Sequence, residues 1–455
     1  LINIIVSIIL LVGVNKLDIL PTRYFVIAAS AIVIINILIS LLLCLKNIIL
    51  RIIGIIFSVL LIIISIIGTT YINETNHFLD TSFNNNVVER SSYNVVVLKD
   101  SSYNKIEDLT DKTLGYLKEE KDSISKLEEA VSILSTQYED LYELYEKLLN
   151  GEIDSIMIDE AYLDVLKEDY PDIDEKIKVI YTFDLETIIE KTPTTQEEEL
   201  VRPINIFISG SDSRSDNISN KSRSDVNMLV TINPNTHQIL LTSIPRDYYV
   251  RLHNTTGYKD KLTHAGIYGI DKSVETIEDL LEIDINYYLK VNFTSLINVV
   301  DELDGIKVYS KYSFTSRDGY QYNEGYNSLN GQEALSFVRE RKAFKDGDRV
   351  RGQNQQAVLE AIINKALSPK IITKYNGILN SLDGKFVTNM DYDDITALIK
   401  RQLNNNKSWS FSTINLEGKD GYEYTYSYYA NKLYVMIPDE NSVEEAKEKI
   451  KTVLN

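Results

Sequence analysis

The chain has 455 residues, too many for one ordinary hydrophobic core, so two or more domains are expected. Its 47 lysines and arginines stand against 66 acids, a net charge of −19, which argues against the basic face of a duplex nucleic-acid binder. A single cysteine, Cys44, excludes an intramolecular disulfide, and histidines at 77, 237, 253 and 264 show no zinc-ligand spacing.

Residues 1–72 read as a transmembrane region. Leu1–Val14 is apolar but short, and the chain starts without methionine, which fits a first span truncated at its start. Tyr24–Leu45 and Ile52–Tyr71 each supply about the ~20 residues that cross a bilayer. The link between them holds Lys46 and Arg51 and no acid, so it is expected in the cytoplasm. Three spans then place everything after Tyr71 on the extracellular face. A cleaved signal peptide, with one short apolar core, does not account for three segments.

After a polar spacer, residues 88–190 read as a smaller α/β unit. Strands are expected at Val95–Leu98, Thr113–Leu117, Ile153–Ile158 and Lys178–Phe183. Ser123–Asn150 carries apolar residues at helical spacing (Leu127, Val131, Leu134, Leu141, Leu148) up to a stop at Gly151, and Glu160–Lys167 reads as a second helix. This alternation predicts a largely parallel sheet. Glu190–Arg202, with Pro193 and three consecutive glutamates, reads as a linker.

Residues 203–455 again read as α/β. Ile204–Ile208, Met228–Ile232, Ile239–Ile244 and Ile306–Tyr309 are expected strands. Val274–Leu281, Phe293–Leu303, a helix from Gly331 through Phe337, Arg349–Leu367 and Ser442–Leu454 are expected helices. The tyrosine-rich Tyr422–Ile437 looks strand-like, with an exposed face.

The arginines are unevenly placed. Ten of fourteen lie between Arg202 and Arg351, and residues 91–201 contain none. Solubility needs only charge, which lysine supplies, whereas paired phosphate oxygens call for a planar donor fork. Three constellations follow. Asp212 follows one strand and Asp225 precedes the next, so antiparallel pairing would put both carboxylates at one sheet end. That is a magnesium site beside a polyphosphate, or else a pair of turn-forming acids. Ser243-Ile244-Pro245-Arg246-Asp247 stands at a strand end, where Arg246 suits a transferring phosphoryl group and Asp247 suits its orientation; the alternative is a surface Arg–Asp pair. The third is Val338–Gln356. Arg339 and Arg341, two apart, share a side only in extended chain, about 7 Å from each other, so the preceding helix should end near Arg339. Asp348 suits the N-cap of a helix starting at Arg349. Arg351 and Gln355, four apart, share a face, while Arg349 diverges from Arg351 by ~200°.

The segments INIFISGSDSR, RSDVNMLVTINP, LLTSIPRDYYV, KLTHAGIYG, YYLKVNF, LNGQEALSFVRERK and GDRVRGQNQQ, in this order across residues 204–367, resemble the motifs of the LytR-CpsA-Psr family. The spans and the extra unit look like its capsular-polysaccharide branch. The resemblance implies an α-β-α sandwich with an apolar pocket for a lipid tail. It implies a magnesium-dependent phosphotransferase that moves a glycopolymer from undecaprenyl pyrophosphate to peptidoglycan, forming a phosphodiester. By motif, Asp212 and Asp225 would carry Mg²⁺. Arg223, Arg246, Arg339, Arg341 and Gln355 would hold the pyrophosphate, and Asp348 and Arg351 match a D-x-x-R element; beside Arg246, Asp247 and Asp348 are the candidate catalytic bases, with metal-bound water as the other route for the acceptor's proton. Two departures stand out: Asn354 where the family often has arginine, and Val226 where many members have threonine. The runners-up are a lipid-pyrophosphate hydrolase with the same site and a non-enzymatic scaffold or regulator of envelope assembly. Separately, Ile106–Glu120 and Leu144–Asp159 resemble half of a periplasmic solute-binding fold.

Overall fold

The computed structural model describes residues 1–84, 87–170, 172–189, 202–212, 218, 221–366, 384–405, 407–428 and 431–455. The linker at 190–201 and the end of the helix expected to reach Leu367 lie outside these. Three helices lead the chain: α1 (Ile2–Leu17), α2 (Thr22–Cys44) and α3 (Ile48–Leu79). By length and composition α2 and α3 are able to cross a membrane, and α1 is shorter. Ile27, Ile34 and Ile64 point outward, the reverse of a soluble core helix.

Five strands form the next sheet: β1 (Val87–Leu98), β2 (Thr113–Leu117), β3 (Leu134–Tyr138), β4 (Ser155–Asp159) and β5 (Ile177–Ile189), in the order β3-β2-β4-β1-β5. The sheet is mixed, not largely parallel: β2 runs parallel to β3 and β4, but β1 is antiparallel to β4 and β5. The reason is the long ribbon of β1 with β5, which brings the unit's first and last strands together. The single helix expected over Ser123–Asn150 is also corrected. Helix Lys121–Ala130, strand β3 and helix Leu141–Leu149 share that stretch. Asp140 starts the second helix by accepting from Glu143 N at 2.7 Å. The apolar spacing across the break was coincidence.

The second sheet has six strands: β6 (Ile204–Ser211), β7 (Val226–Asn233), β8 (Gln238–Ile244), β9 (Tyr287–Asn292), β10 (Val387–Thr388) and β11 (Ser410–Asn415), ordered β10-β9-β6-β7-β8-β11. Around it lie α4 (Ile270–Leu281), α5 (Phe293–Glu302), α6 (Gly331–Arg339), α7 (Gly347–Ala366), α8 (Tyr392–Asn405) and α9 (Glu440–Leu454). Alternation along β7 serves both faces. Leu229 joins the core under α4 and α9, with Ile277 and Ile450, whereas Met228 and Val230 pack with Leu359 and Ile363 of α7.

Two junctions set the site's surroundings. The ends of α1 and α3 meet one end of the second sheet, where Phe78, Leu79 and Phe83 pack with Ile204, Tyr287 and Met390. Lys400 pairs there with Asp18 at 3.0 Å. The five-stranded unit packs on the other end: Ile267 and Tyr428 belong to its core cluster, and the Tyr142 and Tyr428 rings are 4.0 Å apart. The tyrosine-rich tail is two antiparallel strands, Gly418–Glu423 and Leu433–Pro438. Tyr422 is exposed as expected, but Tyr428 between the strands is buried.

Candidate functional site

β6 and β7 pair antiparallel with Gly210 opposite Val226, so Asp212 and Asp225 reach one end of the sheet. Asp225 N donates to Gly210 O at 2.8 Å. The strands approach closely here, since a Cβ on Gly210 would stand 2.9 Å from Val226 Cβ. Asp212 is exposed on the cleft wall, yet the surrounding protein raises its pKa by excluding solvent. The charges of Asp225 and Asp164 act in the same sense, and Arg246 and Arg339 oppose them. Two carboxylates thus crowd one another. The buried Oδ2 of Asp225 has no hydrogen-bond partner among the described residues.

β8 ends at Ile244, and Pro245 directs Arg246 back into this cleft. Nη1 of Arg246 pairs with Oδ1 of Asp225, and its Nε lies 3.5 Å from Oδ2 of Asp247. Burial works against the arginine's charge, but Asp225 and Asp247 outweigh it and its pKa is raised. Asp247 is itself buried, with Lys261 Nζ 3.9 Å from its other oxygen. It sits behind the guanidinium.

The arginine-rich stretch divides as its spacing demands. α6, opened by an Asn330–Glu333 capping box, stops at Arg339, and Glu340 is extended with ψ 128. The Arg339 guanidinium lies over the Phe293 ring, 4.8 Å from its centroid. Glu340 shapes the turn by accepting from Arg317 N at 2.6 Å and Ala343 N at 2.9 Å. α7 begins at Gly347, so Asp348 lies inside the first turn; the N-cap role expected for it is not what it does. The helix starts two residues earlier because Val350 N already bonds Asp346 O. Asp348 instead pairs with Arg351 at 3.0 Å and Arg341 at 3.7 Å. Burial lowers the pKa of Arg351, opposed by Asp348. Arg349 turns away to Glu417, at 2.5 Å.

Gln355 faces the same side as Arg351, and with Asp225, Arg246, Asp247 and Asp348 these residues border one small cavity. Their neighbours hold the helix down. Asn354 Nδ2 donates to Phe337 O at 3.2 Å, and Gln356 Nε2 donates to Leu241 O at 2.9 Å and Ile414 O at 2.7 Å. So Asn354, where an arginine was the family expectation, ties α7 to α6. Arg223 lines an adjoining cavity of about 320 Å³ with Asp212 and Arg246. Two other lining residues were missed from sequence: Asp164 and Lys167, from helix Glu160–Asp169 of the first sheet's unit. Nothing in their local sequence marks them, because only the packing of the two units puts them here. A further cavity of about 760 Å³ lies beside the later turns of α7, between Ile306, Tyr326 and Leu329 on one side and Ala357 and Ala361 on the other.

A model described as the LytR_cpsA_psr family matches residues 175–452. Among curated relatives, a polyisoprenyl-teichoic acid–peptidoglycan teichoic acid transferase TagU of Bacillus licheniformis is 36% identical over 194 residues, 42% of this chain and 62% of that protein. TagU of Bacillus cereus is 34% identical over 228 residues, 49% of this chain and 74% of that one. The crystal structure of Bacillus subtilis TagV is similar at 30% identity and a TM-score of 0.46, covering 56% of this chain and 98% of that one.

Proposed function

Because the chain belongs to the LytR-CpsA-Psr family, we propose that it moves a glycopolymer from a polyprenyl-pyrophosphate carrier to peptidoglycan by phosphoryl transfer. The observation that carries the reading is the convergence at one sheet end of Asp212, Asp225, Arg223, Arg246, Arg339, Arg341, Arg351 and Gln355, drawn from two stretches, 212–246 and 339–355. Phosphoryl transfer needs positioned positive charge more than a protein nucleophile. A hydroxyl of the acceptor sugar attacks the sugar-linked phosphorus. A new P–O bond forms, the bridging P–O bond breaks, and polyprenyl phosphate leaves with the electron pair and takes up, directly or through water, the proton that the hydroxyl gives up. Arg246, Arg339, Arg341 and Arg351 hold the two phosphates. Asp247 and Asp348 position Arg246 and Arg351.

Asp212 and Asp225 fit a magnesium ion. Mg²⁺ takes one or two carboxylates plus phosphate oxygens and water, and the orphaned Oδ2 of Asp225 beside a crowded Asp212 is a donor set in need of a cation. Bound there, it would neutralise charge on the pyrophosphate.

The donor's lipid and the helices α1–α3 suit the same surface. We read them as three spans with the Lys46–Arg51 link inside and the rest outside. In support, α1 and α3 end at the second sheet, and that link lies at their opposite ends. The cavity along α7 is our candidate path for the lipid tail. The polymer we favour is capsular polysaccharide, from the additional unit and the spans. Asp212→Ala and Arg339→Ala, expressed in cells lacking the wild-type protein, are each expected to cut wall-linked polymer by roughly 10²–10³. Unchanged attachment in both would favour the scaffold reading instead.

A further inference from the structure

Resting on that reading, we propose that helix Glu160–Asp169 of the N-terminal α/β unit is the sugar-binding wall of the site. Asp164 would accept from hydroxyls of the sugar ring adjoining the reacting phosphorus, and Lys167 would donate to it.

The helix is held in place firmly enough to serve as a wall. Asp159 caps it, accepting from Ala161 N at 2.9 Å. Tyr162, Leu163, Val165 and Leu166 bury into a core that also contains Ile267 and Tyr428 of the second unit. The Tyr162 ring meets that of Tyr268, centroids 6.5 Å apart, and Tyr142 donates to Asp169 at 2.5 Å. Asp164 and Lys167, three apart, then share a helix face, and both line the 320 Å³ cavity.

The two walls of that cavity differ in kind. Asp212, Arg223 and Arg246 are committed to phosphate and its metal, which every donor shares. Asp164 makes no hydrogen bond among the described residues. Burial raises its pKa, Arg223 and Lys167 work against that rise, and Asp225 adds to it. A carboxylate offers two acceptor oxygens to neighbouring hydroxyls, and an ammonium offers three donors to the remaining sugar oxygens. The ring beside the phosphate is what distinguishes one donor or acceptor from another. A wall supplied by a separate unit would set polymer choice without touching the phosphate machinery.

The test uses full-length protein in detergent with Mg²⁺. Binding is measured for geranylgeranyl pyrophosphate, which has no sugar, and for a polyprenyl pyrophosphate bearing one N-acetylhexosamine. Transfer to a soluble peptidoglycan fragment gives the acceptor KM. For Asp164→Ala with Lys167→Ala, the bare pyrophosphate should bind within about twofold of wild type, because its contacts are elsewhere. Either the sugar-linked donor's Kd or the acceptor's KM should rise about tenfold to a hundredfold. The first result assigns the wall to the donor's sugar and the second to the acceptor's. Asp164→Asn, which keeps one acceptor oxygen, should recover part of the loss, a pattern that general unfolding would not give. Unchanged values for both, or an equal loss for the bare pyrophosphate, overturns the wall. Wild-type protein that binds no pyrophosphate at all would overturn the phosphotransfer reading as well, and so separates the two failures.

Discussion

Arg246 keeps its charge in a buried place because Asp225 and Asp247 flank it, and most of the site's residues are held by such pairings. Their sequence signals were legible. The skew of arginine over lysine and the acids at strand ends pointed to the cleft where these groups meet, and the two-residue and four-residue offsets within Val338–Gln356 separated Arg351 and Gln355, which border one cavity, from Arg349, which pairs with Glu417. Asp348 was misread in one respect, because helix start signals are shared by neighbours, and Gly347 began the helix first. Asp164 and Lys167 could not be read at all, since their meaning comes from packing between units. One buried acid gives a pH prediction. Glu120 is fully buried and accepts from Asp159 N at 2.6 Å. Burial pushes its carboxyl from 4.5 up to about 8, against the backbone donors and Lys221. A carboxyl neutral in the fold but ionised in the unfolded chain costs stability as pH rises between those values, with no further cost above them. The stability advantage of Glu120→Gln over wild type should therefore grow by about 1 kcal/mol per pH unit from roughly pH 5 to 8. Thermal unfolding at several pH values would show it, and parallel curves would contradict it.

At the scale of elements, the site depends on where α6 stops and α7 starts. A Cβ at Gly347 would stand 2.2 Å from the carbonyl oxygen of Arg341, which is backbone and cannot swing aside. Gly347→Ala should separate Arg341 from Asp348 and Arg351. We expect a stability loss of about 1–3 kcal/mol by chemical denaturation and at least a tenfold loss of transfer. Wild-type rates in a folded variant would mean that the junction does not set the arginine geometry. Long β-branched runs such as Ile204–Ser211 and capped helices such as Gly331–Arg339 were readable from their own residues. β11 and α8 were not assigned. β11 pairs with β8, more than 160 residues earlier, so long-range pairing decides its state. The strand inside Ser123–Asn150 was hidden by an apolar period that continued across two helices.

On the scale of the whole molecule, the end of the second sheet that carries Asp212 and Asp225 lies away from the helices that would anchor it, since Ile204 starts β6 at the anchor and Asp212 follows its other end. A lipid-linked donor would have to run along the sheet to reach the arginines, and α7, descending from Gly352 near Ser243 to Leu359 and Ile363, runs that way. The single Cys44 closes α2 on the side proposed as cytoplasmic and is exposed. A membrane-impermeant maleimide on intact cells should leave it unlabelled until lysis. It should label Lys419→Cys, an exposed position, in a Cys44→Ser background. The reverse pattern would invert the topology.

The central claim, transfer and not hydrolysis or scaffolding, is met most directly by reconstitution. Purified protein, Mg²⁺, a polyprenyl-pyrophosphate-linked polymer and isolated peptidoglycan are incubated, and polymer is followed into the insoluble wall fraction. We predict phosphodiester-linked polymer on the peptidoglycan, with polyprenyl phosphate released in equal amount. Polymer recovered only in the soluble fraction would contradict the account.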